Sequence, residues 1–163
     1  MPEKATLERA KKAKRKGKSS STQAGEFVRE EMHHVREGRH GARSTKQAIA
    51  IGLSKARRAG VDLPPPKKGT VSERTRRSAE RAHKVGQRGK SRPAGRRSAA
   101  TKRALRREGR SAASRTALSR QARSAARKRG PRARSAAAHR AARTRARSRG
   151  SGAGQKGARR RSR

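Results

Sequence analysis

Large apolar side chains are confined almost entirely to one stretch, Glu26 to Leu63, and that confinement limits what the chain can fold into. The stretch reads EFVREEMHHVREGRHGARSTKQAIAIGLSKARRAGVDL. It holds the single aromatic residue, Phe27, together with Val28, Met32, Val35, Ile49, Ile51, Leu53, Val61 and Leu63. Lysine, arginine, alanine, serine and glycine dominate the flanking sequence. A hydrophobic interior is therefore expected in this stretch and nowhere else.

Its pattern is helical. Val28, Met32 and Val35 fall at i, i+4 and i+7 on one face, with Glu26, Glu30 and Glu31 near the start, where the helix dipole favours negative charge. Ser20 and Gln23 have capping-box spacing, but Gly25 moves the expected regular start to Glu26, and Gly38 supplies the C-terminal stop. After a short turn, Ser44 and Gln47 form a second capping box ahead of Ile49, Leu53 and Ala56. Ile51 and Ala48 widen that stripe, and Gly52 would let another backbone come close. Lys55, Arg57 and Arg58 complement the C-terminal dipole. Gly60 followed by Val61 has the form of a Schellman stop, and Pro64, Pro65 and Pro66 forbid continuation. The reading is an αα-hairpin at about 26–60, its core formed by Phe27, Val28, Met32, Val35, Ile49, Ile51, Leu53 and Val61. So small a core implies marginal stability, or support from self-association or a protein partner.

The segment EFVREEMHHVREGRHGARSTKQAIAIGLSKARRAG, with its core at Lys46 to Ile51, resembles a small uncharacterised domain family of bacterial basic proteins. The resemblance implies a bacterial origin and a small helical module. DNA binding attributed to such proteins rests on their charge.

Composition governs the rest. The chain carries 51 Lys+Arg against 10 Asp+Glu, a formal net charge of +41, and only 28% hydrophobic residues. Low hydrophobicity with high net charge is the signature of disorder. The expected fold class is thus mostly disordered with a small all-α module and Ala/Arg-rich conditional helices in the C-terminal tail. Five regions are expected: a basic arm at 1–25, the hairpin module at 26–63, a Pro/Gly-containing basic linker at 64–96, a repeat tail at 97–149 and a flexible basic terminus at 150–163.

In the tail, lysine and arginine outnumber Glu73, Glu80 and Glu108 more than ten to one. Val71, Val85, Leu105 and Leu118 are too few to build a core there. The tetrad Arg-Ser-Ala-Ala recurs from Arg97, Arg110, Arg123 and Arg134. One leucine per unit cannot support a solenoid, so the repeat reads as multiplied binding capacity. Compositionally the tail is similar to those of linker-histone-like bacterial proteins. Alanine and arginine favour helix, whereas like-charge repulsion opposes it. Helices forming on phosphate binding are expected over 98–108, 111–129 and 132–149, broken at Gly109, Gly130 and Pro131.

A polycation of this density binds polyanions. Lys11, Lys12, Lys14, Arg15 and Lys16 in the arm are expected to contact phosphates. So are Arg97, Lys102, Arg103, Arg106, Arg107, Arg110, Arg115, Arg120, Arg123, Arg127, Lys128, Arg129, Arg132, Arg134, Arg140, Arg143, Arg145 and Arg147 in the tail. The expected function is non-specific DNA binding and compaction by a cytoplasmic, nucleoid-associated, histone-like protein. An RNA- or ribosome-associated protein and a hairpin-based interaction adaptor are the alternatives. No apolar run approaches the ~18–20 residues of a membrane span.

No enzyme, cofactor or metal centre is read. His33 and His34 lack metal-site spacing, and with His40, His83 and His139 they read as surface residues. Glu30, Glu31 and Glu37 read as helix-face charges partnering Arg29, Arg36 or the tail. The run Gly86-Gln87-Arg88-Gly89-Lys90-Ser91 falls short of a phosphate loop and reads as linker.

Overall fold

The computed structural model describes residues 2–89 and 95–160, with side chains except at 97 and 148–160. Helix covers 74% of the chain, which overturns the expectation of a mostly disordered protein. Among the described residues the elements are α1 (Lys4–Arg15), α2 (Ser20–Arg36), α3 (Thr45–Arg58), α4 (Glu73–Gln87), α5 (Gly95–Arg106), a 3-10 turn (Ser111–Ala113), α6 (Arg115–Lys128) and α7 (Gly130–Arg160). Two compact units result, Met1–Ser119 and Arg120–Arg163.

The hairpin of α2 and α3 is the centre of the first unit. Ser19 caps α2, its Oγ accepting from the Thr22 N–H at 3.4 Å, so the helix begins six residues before Glu26 and carries Gly25 inside it. At its end Gly38 takes φ +76°, with Gly38 N–H bonded to Val35 O and Arg39 N–H to His34 O, the Schellman pattern. Ser44 caps α3 by accepting from Gln47 N–H at 3.2 Å. The Gln47 side chain reaches back one residue further than the capping box requires, to Arg43 N–H. Gly60 and Val61 close α3 as expected, and Val61 is buried against Ala56.

The expected core is half right. Phe27, Met32, Val35 and Val61 are buried, whereas Val28, Ile49, Ile51 and Leu53 are half-buried. Small residues fill the difference: Ala24, Ala48 and Ala56 are fully buried. A Cβ at Gly52 would lie 2.7 Å from Val28 Cα, so the two helices meet backbone to backbone there. Close approach replaces side-chain bulk as the source of contact, because dispersion falls off steeply with any gap.

The same device brings in segments read as arm, linker and tail. Helix α1 packs on α2 through Thr6 and Ala10, both buried, with Leu7 beside Ala24 and Phe27. Arg9 Nε lies 2.9 Å from Glu26 Oε2, fastening the pair. Helix α4, inside the stretch read as linker, lays Ala79 and Ala82 on α3. Gly86 follows one turn later, where any Cβ would collide with the Arg57 carbonyl. Of the linker run containing Gly86, Lys90 and Ser91 lie outside the described residues. Arg57, buried on α3, donates from Nε to Leu63 O at 3.0 Å and from Nη2 to Pro64 O at 3.1 Å, fixing the start of the proline run.

The tail also contributes to the core, contrary to the expectation from its aliphatic content. Ala112 and Ala113 are buried with Met32, Val35, Ala42 and Ala48, and Leu118 packs against them. Thr45 Oγ1 donates to Ala112 O at 2.6 Å, and Arg36 Nε donates to Ala113 O at 2.9 Å. Gly41 and Ala42 N–H groups donate to Leu105 O and Gly109 O.

In the second unit no residue from 120 to 147 is buried. Helix positions match the tail expectation closely. Ser114 Oγ caps α6 by accepting from Ala117 N–H. Alanine and arginine propensity outweighs i,i+4 repulsions of roughly 0.2–0.5 kcal/mol each. Gly130, at φ +73°, and Pro131 begin α7 rather than merely ending α6, since proline suits a first helical turn. Beyond residue 150, read as flexible, α7 continues to Arg160.

Two glycines of the hairpin should respond oppositely to alanine. Gly52→Ala is expected to destabilise the first unit by about 1–3 kcal/mol through overpacking. Gly25→Ala, whose Cβ meets nothing within 4 Å, is expected to stabilise it by about 0.5–1 kcal/mol. Urea unfolding followed by far-ultraviolet circular dichroism measures both.

Candidate nucleic-acid interface and a buried acid–histidine cluster

Charge is distributed in two different ways along this chain. Up to Glu108, carboxylates are interleaved with cations and pair with them; after Glu108 the sequence has no carboxylate side chain.

The expected phosphate-contacting residues are all on the surface where their side chains are described. Lys11, Lys12, Lys14 and Arg15 lie on α1 with Lys16 at its cap, and Lys11 Nζ sits 3.2 Å from Glu8. Lys102, Arg103 and Arg106 are on α5, with Arg107 and Arg110 in the loop after it. Arg115, Arg120, Arg123, Arg127 and Lys128 lie on α6, followed by Arg129; Arg132, Arg134, Arg140, Arg143, Arg145 and Arg147 lie on α7. Arg97 belongs to α5, its side chain outside the described set. They line helix surfaces.

On α4, Glu73 accepts from Arg76 at 2.7 Å and lies 3.4 Å from Arg77, while Glu80 pairs with Lys84 at 3.1 Å. Hydrogen bonds from Arg76 and Lys84 hold these two carboxyls below their ordinary value. Burial, conversely, pushes the Arg57 guanidinium down.

A second site escaped the sequence reading. Glu30 and Glu31 are both buried on α2. Lys55 Nζ on α3 lies 2.5 Å from Glu31 Oε2, an ion pair without a well-directed hydrogen bond. His40 Nε2, from the interhelical turn, lies 3.2 Å from Glu31 Oε1. Glu30 Oε1 accepts from the Glu3 N–H at 3.2 Å and lies 3.8 Å from His34 Nε2. Glu3 Oε1 is 3.0 Å from His34 Nε2 and 2.7 Å from Arg39 Nη1. Those hydrogen bonds, His34 first and Arg39 second, lower the Glu3 carboxyl. A cleft of about 210 Å³ opens beside Glu3, Glu30, His34 and Arg39. Two donor sets could hold a cation here, Glu31–His34–His40 and Glu3–Glu30–His34, each with its donor atoms within 4.8 Å of one another.

One sequence signal pointed this way. Glu31 shares the stripe of Val28 and Val35, and Lys55 shares that of Ala48 and Gly52, at i+3 and i+7 spacings. Each is a charge on an apolar face. Glu3 could not have been assigned, because its partners are about thirty residues away.

Among known proteins, residues 15–68 match a family described as of unknown function, DUF6496. A DUF6496 domain therefore covers α2, α3 and the Arg57 clasp, about a third of the chain. Neither a curated protein nor a solved structure matches the chain. No helix among the described residues is long and apolar enough to cross a membrane.

Two outcomes test these electrostatics. Lys55→Met should cost roughly 2–3 kcal/mol by leaving Glu31 with one cation fewer, and adding Glu31→Gln should recover part of that, read as coupling in urea unfolding. Because Glu73 and Glu80 are depressed in the folded state, their contribution to α4 is present above the ordinary value of 4.5 and is lost as pH falls through their folded values. Amide exchange in α4, corrected for intrinsic rates, should therefore accelerate in acid, and the Glu73→Gln/Glu80→Gln protein should lack that acceleration.

Proposed function

We propose that this protein binds double-stranded DNA through its phosphates, with little sequence preference, and compacts it. The observation that carries the reading is the acid-free run of arginines on α6 and α7. Beyond Glu108 no side-chain carboxylate competes for these cations, and none of their described side chains is buried. Counterion release from neutralised phosphates then supplies the binding energy.

The geometry suits a duplex. At 1.5 Å per residue the 31 residues of α7 extend ~46 Å, more than the ~34 Å of one duplex turn. An α-helix fits the major groove or can track a phosphate backbone. Preformed helices also lower the ordering cost of binding. Single-strand recognition by base stacking is disfavoured, because the sole aromatic residue, Phe27, is fully buried in the hairpin. The small body of α1–α4 then serves as a folded anchor for basic helices. A bacterial, nucleoid-associated role follows from the resemblance of the hairpin segment together with this chemistry.

If about ten phosphates are neutralised, the slope of log affinity against log salt should be near −9 on duplex DNA. Replacing Arg132, Arg134, Arg140 and Arg143 by glutamine should make it shallower by up to ~4. Binding is measured by fluorescence anisotropy across a salt series, with matched-length duplex RNA and single strands as competitors. A wild-type slope shallower than about −3 would sink the phosphate mechanism. Tighter binding to duplex RNA at equal salt would transfer the function to RNA.

A further inference from the structure

Neither oxygen of Glu31 receives a hydrogen bond, and only Oε2 has a lysine beside it. The residue is fully buried, and a carboxylate withdrawn from water needs a facing cation. Lys55 serves Oε2 at 2.5 Å. Oε1 receives no hydrogen bond and faces His40 Nε2 at 3.2 Å. His40 is held from its other side, with Nδ1 3.0 Å from the Gly41 carbonyl oxygen. A carbonyl only accepts, so Nδ1 carries the proton and donates. In the neutral ring Nε2 then carries a lone pair, 3.2 Å from Glu31 Oε1 and not directed at it. An imidazole whose N–H is anchored on a backbone carbonyl is also the arrangement that orients histidine as a metal ligand.

His34 supplies a third donor. It lies one turn along α2 from Glu31, and the donor atoms of Glu31, His34 and His40 are within 4.8 Å of one another. On the same turn Glu30 Oε2 is buried and receives no hydrogen bond, which adds uncompensated negative charge beside His34.

We propose that Glu31, His34 and His40 bind one divalent d-block cation of the zinc class, Glu31 through Oε1 and His40 through Nε2. Two imidazoles with one carboxylate match the ligand preference of zinc and leave a fourth position for water; magnesium and calcium prefer all-oxygen shells. Metal bonds of ~2.0–2.2 Å require the donors to close by about 1 Å. His40, in the turn between α2 and α3, can move without disturbing either helix. His34 would exchange its contacts with Glu3 and Arg39 for the metal, while Arg39 keeps Glu3 at 2.7 Å and Glu37 at 2.9 Å. Lys55 stays on Oε2 and orients the carboxylate. The cation would tie α2 to the turn that receives the 105–113 segment.

The test uses the full-length, tag-free protein, freed of metal with a chelator and titrated with zinc chloride by calorimetry and with cobalt chloride by visible absorption. Expected are one equivalent bound, ligand-field bands of a nitrogen/oxygen cobalt site, and a higher Tm with zinc but not with equal magnesium. His34→Gln and His40→Gln should each weaken zinc by at least ~10-fold. His83→Gln, whose ring pairs with Asp62 on a different surface, should not. The proposal is overturned if wild-type protein takes up no zinc saturably, or if uptake survives in the His34→Gln/His40→Gln double variant.

Discussion

Backbone proximity is what this structure depends on. The first unit has too few large side chains for an ordinary core, yet it buries Ala10, Ala24, Ala42, Ala48, Ala56, Ala79, Ala82, Ala112 and Ala113. An alanine buries little area, so each contributes only when the opposing surface comes within van der Waals range. Gly52 against Val28 and Gly86 against Arg57 are where the helices reach that range. The consequence is an interior with little slack, in which even one added methyl at a contact glycine must displace backbone.

Tight packing also explains why charges are found inside. With helices this close, Glu31 is fully buried on α2 and faces Lys55, a partly exposed residue of α3. A buried pair of this kind contributes little net stability, since desolvation cancels most of the attraction. It does fix register: sliding α3 along α2 would strand a carboxylate with no cation opposite it. Buried Arg57, bonded to the Leu63 and Pro64 carbonyls, applies the same restraint to the segment before α4. All ten carboxylate side chains lie in the first unit, whereas the sequence after Glu108 has none to set against its arginines.

The hairpin was legible because its signals are local. Ser44 and Gln47, Gly38, and Gly60 with Val61 each act within one helical turn, and the structure keeps every one of them. Helix positions in the tail were legible for the same reason. What failed was the inference from composition to disorder. That argument counts large apolar residues, and it missed the packing of α1 and α4, whose buried contact residues are threonine, alanine and a close-approach glycine, with only Leu7 half-buried beside them. It also treated each charge as solvated, so Glu31 and Lys55 were read as surface groups although their spacing placed them on buried stripes. The ligand-like grouping of Glu31, His34 and His40 needs the turn geometry as well, which no periodicity supplies.

The repeated tetrad shows how far context decides. Arg-Ser-Ala-Ala occurs from Arg97, Arg110, Arg123 and Arg134, and its local propensities are the same each time. In α5, α6 and α7 it is helical and its described alanines are never fully buried. At Arg110 alone it becomes a 3-10 turn with both alanines in the core. The difference lies in the partners. Thr45 and Arg36 donate to the carbonyls of Ala112 and Ala113, and Gly41 and Ala42 bond the preceding loop. Carbonyls satisfied from outside need no helical partner, so the tetrad leaves the helix only where the hairpin offers donors. A single motif thus serves as core at one site and as cationic surface at the others.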